Sequence, residues 1–465
     1  MRRSKIVATL GPASNSSPQI ERLIRAGVNI FRINFSHGTP DEHRGTVSRV
    51  RKAARKMKRS IGVLGDIPGP KVRVGTLPDG GIVLKKGSKV FLKKAKSSSK
   101  GDFIPVPHDI SRLEPGERVL LRDGLIVLEV RSASGKRIAC KVIDGGTLTT
   151  AGGISAPHIG LGISAVTKKD RENIKLAVEL DLDWLGVSFV GSPSDLVSAR
   201  RAAAKSGKKI PVVAKIERAE AVDKLDAILE EADAVMVARG DLALEVPLER
   251  VPVLQKDIIV KARRHGIPSI VATQMLESMV NESRPTRAEA TDVANAIFDG
   301  ASATMLSEET AIGNWPVVAV RTMAAIAKEA EESGHACAEY PQWGSGVLVA
   351  VARAVQAAAG SLDAQAIIVF TLSGVTARAI SAMRPRLPIF ALTPEEGTYR
   401  AMSLYWGVEP VLIPMARSTD HMLEVGEEAL IKGGHLKKGA QVIAVSGSAA
   451  VGGASNMIRI GRVGK

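Results

Sequence analysis

Residues 210–241 read IPVVAKIERAEAVDKLDAILEEADAVMVARGD, and this run decides the fold. It opens on an apolar strand, Pro211–Ile216, passes through an amphipathic stretch over 218–230, and returns to a second apolar strand, Ala234–Val237. Neither strand alternates apolar with polar residues, the pattern expected when helices cover both faces of a parallel sheet. Strand, helix and strand in this order form a βαβ unit. Each strand ends in charge: Lys215-Ile216-Glu217 and Arg239-Gly240-Asp241.

The same rhythm extends both ways. Strands are expected at Lys5–Leu10, Val28–Asn34, Ile61–Asp66, Trp184–Ser188, Ser269–Ala272 and Ser302–Leu306. Helical patterns lie near 17–26, 40–58, 168–180, 193–205, 248–264, 286–298 and 315–332. Eight βα units imply an α/β fold, a closed (β/α)8 TIM barrel, built from residues 1–70 and 167–339. Residues 71–166 read differently, with period-two runs such as Lys89-Val90-Phe91-Leu92-Lys93 between Gly, Pro and Asp-Gly turns. They are expected to form an inserted all-β lid domain, a small β-barrel on one loop. Seven of the sixteen residues Lys85–Lys100 are lysine, which reads as a solvated sheet edge guarded against aggregation. Residues 340–465 resume helix–strand alternation and are expected to form a separate C-terminal α/β domain, with strands near Ala366–Thr371, Ile389–Leu392, Pro410–Ile413 and Gln441–Ala444. Three domains suit 465 residues at roughly 150 residues each.

Composition narrows the class. Hydrophobic residues make up 45% and charged residues 24%, the balance of a chain with a large core. Cys140 and Cys337 are the only cysteines, too few for a disulfide framework or a zinc site, and point to reducing cytoplasm. No stretch is apolar for long enough to cross a bilayer or act as a signal core. The net charge of +16 invites a nucleic-acid reading, with Lys85–Lys100 and Arg49–Arg59 as its patches. Aromatics are only 3%, so stacking platforms are scarce, and no nucleic-acid motif is present. Neither a nucleic-acid nor a membrane partner is expected. The P-loop, HExxH and GxSxG patterns are absent.

Barrel enzymes build their sites where strands run into βα loops. Here those ends are Arg32-Ile33-Asn34-Phe35-Ser36-His37, Asp66, Ser188-Phe189, Lys215-Ile216-Glu217, Arg239-Gly240-Asp241, Thr273-Gln274 and Ser307-Glu308-Glu309. One polar end is a helix cap; seven on one rim are a site. Glu217 and Asp241 are hard oxygen ligands suited to Mg²⁺ or Mn²⁺. Lys215 lies two residues before Glu217 and so on the same side of its strand, where its ammonium can stabilise developing negative oxygen charge. Arg32 offers a fork for a phosphoryl group, and the Gly240 N–H a site for a carboxylate. Cations and a metal around one centre are the equipment of phosphoryl transfer. In the C-terminal region, Thr371, Ser373, Gly374 and Thr376 stand between a strand and a helix, where hydroxyls and helix N–H groups can cradle a phosphate.

Several motifs together resemble the pyruvate kinase family: KIVATLGPAS (5–14), FRINFSHG (31–38), IPVVAKIERAEAV (210–222), MVARGDLALEVP (236–247), ATQMLESM (272–279) and RPTRAEATDVANAIFDGASATMLSEETAIGNWP (284–316). The resemblance covers essentially the whole chain. It implies phosphoryl transfer from phosphoenolpyruvate to ADP, giving pyruvate and ATP in glycolysis. It also implies a cytoplasmic homotetramer and a sugar-phosphate or nucleotide-monophosphate effector bound at the loop Thr371–Thr376, which makes residues 340–465 a C-terminal α/β regulatory domain. Position by position, it gives Glu217 and Asp241 to the divalent ion. Lys215 goes to the phosphoryl group and the enolate, and Arg32 to the phosphoryl group. Thr273 with the Gly240–Asp241 backbone goes to the substrate carboxylate, Thr273 also lying near the face where the enolate is protonated. His37, Arg73, Lys169 and Asn34 go to the nucleotide, and Asp123 to the closing lid. Potassium-dependent members bind the monovalent ion with Asn, Ser, Asp and Thr. Here Asn34, Ser36 and Asp66 match, but the threonine position is Ile67 and a nearby glutamate is Lys71. Ile67 removes a ligand and Lys71 brings an ammonium in place of the ion's charge, so turnover independent of K⁺ is expected. Further departures at Arg122, Gly152, Gly153 and Ser155 alter the lid's contacts. The alternatives are another Mg²⁺-enolate barrel enzyme, such as a phosphoenolpyruvate mutase or a class II-type aldolase, and a basic nucleic-acid-binding protein.

Overall fold

The computed structural model describes residues 2–70, 72–122, 124–134, 137–156, 164–335, 346–447 and 455–464. Lys71 and Asp123 lie outside the described residues.

Eight parallel strands close into a barrel in the order β1-β16-β15-β14-β13-β12-β3-β2. They are β1 (Lys5–Thr9), β2 (Ile30–Asn34), β3 (Gly62–Ile67), β12 (Trp184–Val187), β13 (Val212–Ile216), β14 (Ala234–Ala238), β15 (Ser269–Ala272) and β16 (Ala303–Leu306). Between β3 and β12 come β4 (Ile82–Leu84), β5 (Lys89–Lys94), β6 (Ile104–Val106), β7 (Arg118–Leu121), β8 (Ile126–Ser134), β9 (Arg137–Asp144), β10 (Gly146–Leu148) and β11 (Ile154–Ser155). After the barrel come β17 (Ala366–Phe370), β18 (Ile389–Thr393), β19 (Val408–Leu412), β20 (Gln441–Gly447) and β21 (Ser455–Arg462).

The barrel strands are apolar throughout because every position is covered. Val7, Ile30, Leu64, Trp184, Val213, Met236, Ile270 and Met305 form one buried cluster. Their strand neighbours Ile6, Phe31, Val63, Leu185, Val212, Val235 and Val271 belong to another, which takes in residues of the surrounding helices. Alternation along each strand therefore sorts residues between two cores, not between core and water. Helix starts are fixed by capping boxes at Thr39 with Glu42, Thr167 with Asp170 and Thr286 with Glu289.

The insertion forms a six-stranded sheet, β11-β7-β8-β9-β5-β6, and a two-stranded ribbon, β10-β4, in place of the expected single β-barrel. It has its own core, including Leu92, Ile104, Leu121, Leu128 and Val142. The lysine-rich run is not a sheet edge: β5 pairs with both β6 and β9. Three of its lysines, Lys89, Lys93 and Lys94, are the exposed positions of an interior strand whose Val90 and Leu92 face the core. The C-terminal sheet runs β19-β18-β17-β20-β21, and β21 is antiparallel to β20 at its edge. Neither β21 nor the helix Thr419–Lys432 was expected from the sequence. The core residues of β17 and β18 join the barrel-interior cluster, so the two regions share a buried seam.

Candidate active site

The charged strand ends meet on one rim. The Lys215 ammonium lies 2.8 Å from Glu217 Oε1 and 3.2 Å from Asp66 Oδ2, and it donates to Ser188 Oγ at 2.7 Å. Ser188 Oγ in turn donates to Asp66 Oδ1 at 3.2 Å. Arg32 grips Asp66 Oδ2 through Nε and Nη2, each at 2.7 Å, and reaches Thr9 Oγ1 through Nη1 at 3.2 Å. Residues from β1, β2, β3 and β13 and the end of β12 are thus tied through one carboxylate. The register makes this reachable: Asn34 and Gly186 both pair with Asp66. A Cβ on Gly186 would sit 3.2 Å from Asp66 Oδ1, so glycine leaves room for that side chain.

Asp66 is 1%, Lys215 8% and Glu217 1% exposed, so these charges persist only by mutual support. Burial works against ionised Asp66, yet Lys215 and Arg32 prevail and hold its carboxyl below the usual range. Burial also works against charged Lys215, and Asp66 and Glu217 prevail to raise its pKa. Glu217 goes the other way. Burial, with the repulsion of Asp241 opposing the pull of Lys215, pushes it up to about 7. Its Oε2 accepts from the Phe189 N–H at 2.6 Å, and Phe189 has a left-handed φ of 53°.

Asp241 lies in the first turn of the short helix Arg239–Glu245 and makes no ion pair or side-chain hydrogen bond among the described residues. Two carboxylates that repel each other beside an open rim are a donor set a divalent cation would fit, since the cation removes the repulsion. Across the rim, Thr273 Oγ1 accepts from the Gly240 N–H at 2.8 Å and donates to Ala272 O at 2.6 Å. Thr273 and the next residue, Gln274, have φ of 69° and 53°.

The remaining sequence-derived candidates lie further out. Asn34 Oδ1 accepts from the Ser36 N–H at 3.0 Å, closing the turn that carries exposed His37. Arg73 sits at the root of the insertion, donating to Ala151 O at 2.8 Å, and exposed Lys169 opens the helix Lys168–Glu179. Thr371, Ser373 and Gly374 lie in the C-terminal region between β17 and the helix Val375–Ala382, and Thr376 is in the first turn of that helix. There the Gly374 N–H donates to Thr371 Oγ1 at 2.9 Å. Sequence reasoning noted Ser188 and Arg239 only as strand ends; the contacts that give them work depend on side-chain reach, which spacing does not encode.

Family models agree with this architecture. One described as pyruvate kinase, barrel domain, matches residues 1–320, and one described as pyruvate kinase, alpha/beta domain, matches residues 349–461. The chain is 41% identical over 467 residues to pyruvate kinase 2 of Synechocystis sp., covering 99% of this chain and 79% of that one. It is 39% identical over 470 residues to pyruvate kinase of Mycobacterium tuberculosis, covering 100% of this chain and 99% of that one. A solved pyruvate kinase from Cryptosporidium parvum superposes with a TM-score of 0.92 at 32% identity, covering 99% of this chain and 96% of that one. The chain belongs to the pyruvate kinase family of phosphotransferases.

Proposed function

We propose that the barrel rim carries out the pyruvate kinase reaction with the residues just described. The P–O bond of phosphoenolpyruvate breaks, an oxygen of the ADP terminal phosphate forms the new P–O bond, and the enolate left behind takes a proton at its methylene carbon to give pyruvate. Arg32 holds the phosphoryl group by its fork. Lys215, already charged and aimed by Asp66, Glu217 and Ser188, meets the negative charge that grows on the enolate oxygen. Thr273 and the Gly240–Asp241 backbone hold the substrate carboxylate, and the proton arrives on the Thr273 side, from that hydroxyl or a water chain. His37, Asn34, Arg73 and Lys169 receive the nucleotide. Glu217 and Asp241 would hold Mg²⁺ or Mn²⁺, which supplies Lewis-acid charge to the substrate oxygens. The observation that carries this reading is the buried Lys215–Asp66–Glu217 cluster with Arg32 at its side. A lactate-dehydrogenase-coupled assay tests it: pyruvate must appear from phosphoenolpyruvate only when ADP and Mg²⁺ are both supplied. Pyruvate release at equal rate without ADP would overturn the reading.

The same reading makes turnover independent of K⁺. Ile67 is fully buried and brings no side-chain oxygen to the monovalent-ion set of Asn34, Ser36 and Asp66, and Lys71 follows in sequence with its own ammonium. Rates in tetramethylammonium buffer with and without KCl are expected to agree; many-fold stimulation by KCl would refute this. The loop Thr371–Thr376 is assigned to the phosphate of a sugar or nucleotide effector, supported by the left-handed Gly374 (φ 80°) at the helix start. Domain limits at 1–70 with 167–339, 71–166 and 340–465 are part of the same proposal. So is a homotetramer, supported by β21 being the edge strand among the described residues, with exposed Met457, Ile458 and Ile460. A glycolytic, cytoplasmic setting completes it; no helix among the described residues is long and apolar enough to cross a membrane.

A further inference from the structure

Thr273 and Gln274 both stand in the left-handed region, at φ 69° and 53°. Two such residues in succession, the first β-branched, are strained and persist only when their surroundings hold them. Gln274 is exposed, so its side chain is no anchor. Arg239 holds the turn. Its Nη2 donates to Thr273 O at 2.6 Å and lies 2.9 Å from Met275 Sδ, and its Nε donates to Ala272 O at 3.3 Å. One guanidinium therefore grips Ala272, Thr273 and Met275, on both sides of Gln274. Its far side is fixed by Asp292 at 2.7 Å and Gln255 Oε1 at 3.4 Å. The residue after Arg239 is Gly240, whose N–H donates to the Thr273 hydroxyl. Carbonyl and hydroxyl of the same threonine are thus held by successive residues of one short helix.

We propose that Arg239 is a positioning residue: it fixes the left-handed Thr273–Gln274 turn and so aims the Thr273 hydroxyl and the Gly240 N–H at the substrate carboxylate. This rests on the reading above that those two groups face the substrate. Lysine is a point donor on a flexible stem and cannot replace a fork that spans three groups. Glycine at 274 adopts a left-handed φ without strain, so it lessens the need for the clamp.

The test compares wild type, Arg239→Lys, Gln274→Gly and Arg239→Lys/Gln274→Gly in the coupled assay, with thermal melts alongside. Arg239→Lys is expected to lower kcat by roughly ten- to a hundredfold and to raise KM for phosphoenolpyruvate. KM for ADP should stay unchanged. The double variant is expected to recover part of the lost kcat, which a defect in stability alone would not do. Wild-type kcat in Arg239→Lys, or a loss that Gln274→Gly does not relieve, overturns the proposal. If Arg239→Lys does not fold, Asp292→Asn frees the far side of the clamp, and the same loss and relief are expected on a smaller scale. Thr273→Ala separates the two levels. Full activity there refutes the placing of Thr273 at the substrate, whereas an impaired Thr273→Ala beside an unimpaired Arg239→Lys refutes only the clamp.

Discussion

Asp66, Lys215 and Glu217 are buried together; Lys215 supports the charge of both carboxylates, and both support its own. Lys215→Met tests this dependence. The thioether matches the stem of lysine, and Asp66 keeps Arg32 as its partner. Glu217, already pushed up to about 7, loses its ion-pair partner among the described residues. A folded protein is expected, with kcat reduced roughly a hundred- to a thousandfold in the coupled assay, the usual cost of losing one preorganised charge. Turnover near wild type would show that another cation meets the enolate. At this scale the sequence was informative, because polar side chains at the C-terminal ends of barrel strands are out of place in either apolar core and gather at the rim. Arg32, Asp66, Ser188, Lys215, Glu217, Asp241 and Thr273 were all legible for that reason. The family pattern made Asp66 a monovalent-ion ligand; strand spacing did not reveal that its carboxylate also engages Arg32, Lys215 and Ser188.

The short helix Arg239–Glu245 joins the rim to the insertion. Its first residues touch the Thr273 turn, and its last, Glu245, accepts a hydrogen bond from Ser155 of β11 at 2.5 Å. Near the same end, a Cβ on Gly124 would lie 3.1 Å from Leu244, so the insertion approaches this helix closely. Burial raises the Glu245 pKa while Ser155 and Arg218 oppose the rise, which makes the Ser155 bond one of few supports for a buried carboxylate. Ser155→Ala is expected to loosen the insertion from the barrel and admit water. Its signature is ADP-independent release of pyruvate by hydrolysis, increased about tenfold, the weight of one hydrogen bond to a charged group. Glu245→Gln keeps an acceptor for Ser155 and should stay near the wild-type rate; equal hydrolysis in all three proteins would refute the latch. The sequence did not reveal this helix, because seven residues with one buried side chain, Leu242, carry too little periodicity. It did place the eight barrel strands, where uniform burial leaves uninterrupted apolar runs. It misjudged β5 as an edge, because alternation tells which face is wet but not how many neighbours a strand has. It missed β21 for a related reason: Met457, Ile458 and Ile460 are all exposed, so no buried face marks the strand.

Across the whole molecule, the C-terminal sheet is seated on the end of the barrel opposite the rim, through polar contacts set in apolar surroundings. Trp184 donates to Ala401 O at 3.1 Å, Arg400 pairs with Asp183 at 2.7 Å, and the Lys5 ammonium donates to Val408 O at 2.6 Å. Lys5 is 3% exposed. Burial lowers its pKa to about 8 from an ordinary 10.5; Glu409 and Glu331 oppose the fall, and Arg2 and Arg59 add to it. The sign of the resulting pH dependence follows from the two states. Below about pH 8 the amine is charged whether the chain is folded or not, and folding must bury that charge. Between about 8 and 10.5 the folded form sheds the proton first, so the penalty fades as pH rises. The gap corresponds to a penalty on the order of 3 kcal/mol at low pH. Methionine at position 5 removes the titration together with the hydrogen bond to Val408 O; the lost bond lowers stability at every pH and leaves the slope to the titration. The melting temperature of wild type relative to Lys5→Met is therefore expected to rise steadily between pH 8 and 10.5 and to be level below pH 7. Parallel profiles across that window would mean that the seam admits water to Lys5, and that the barrel and the C-terminal sheet are joined less tightly than these contacts require.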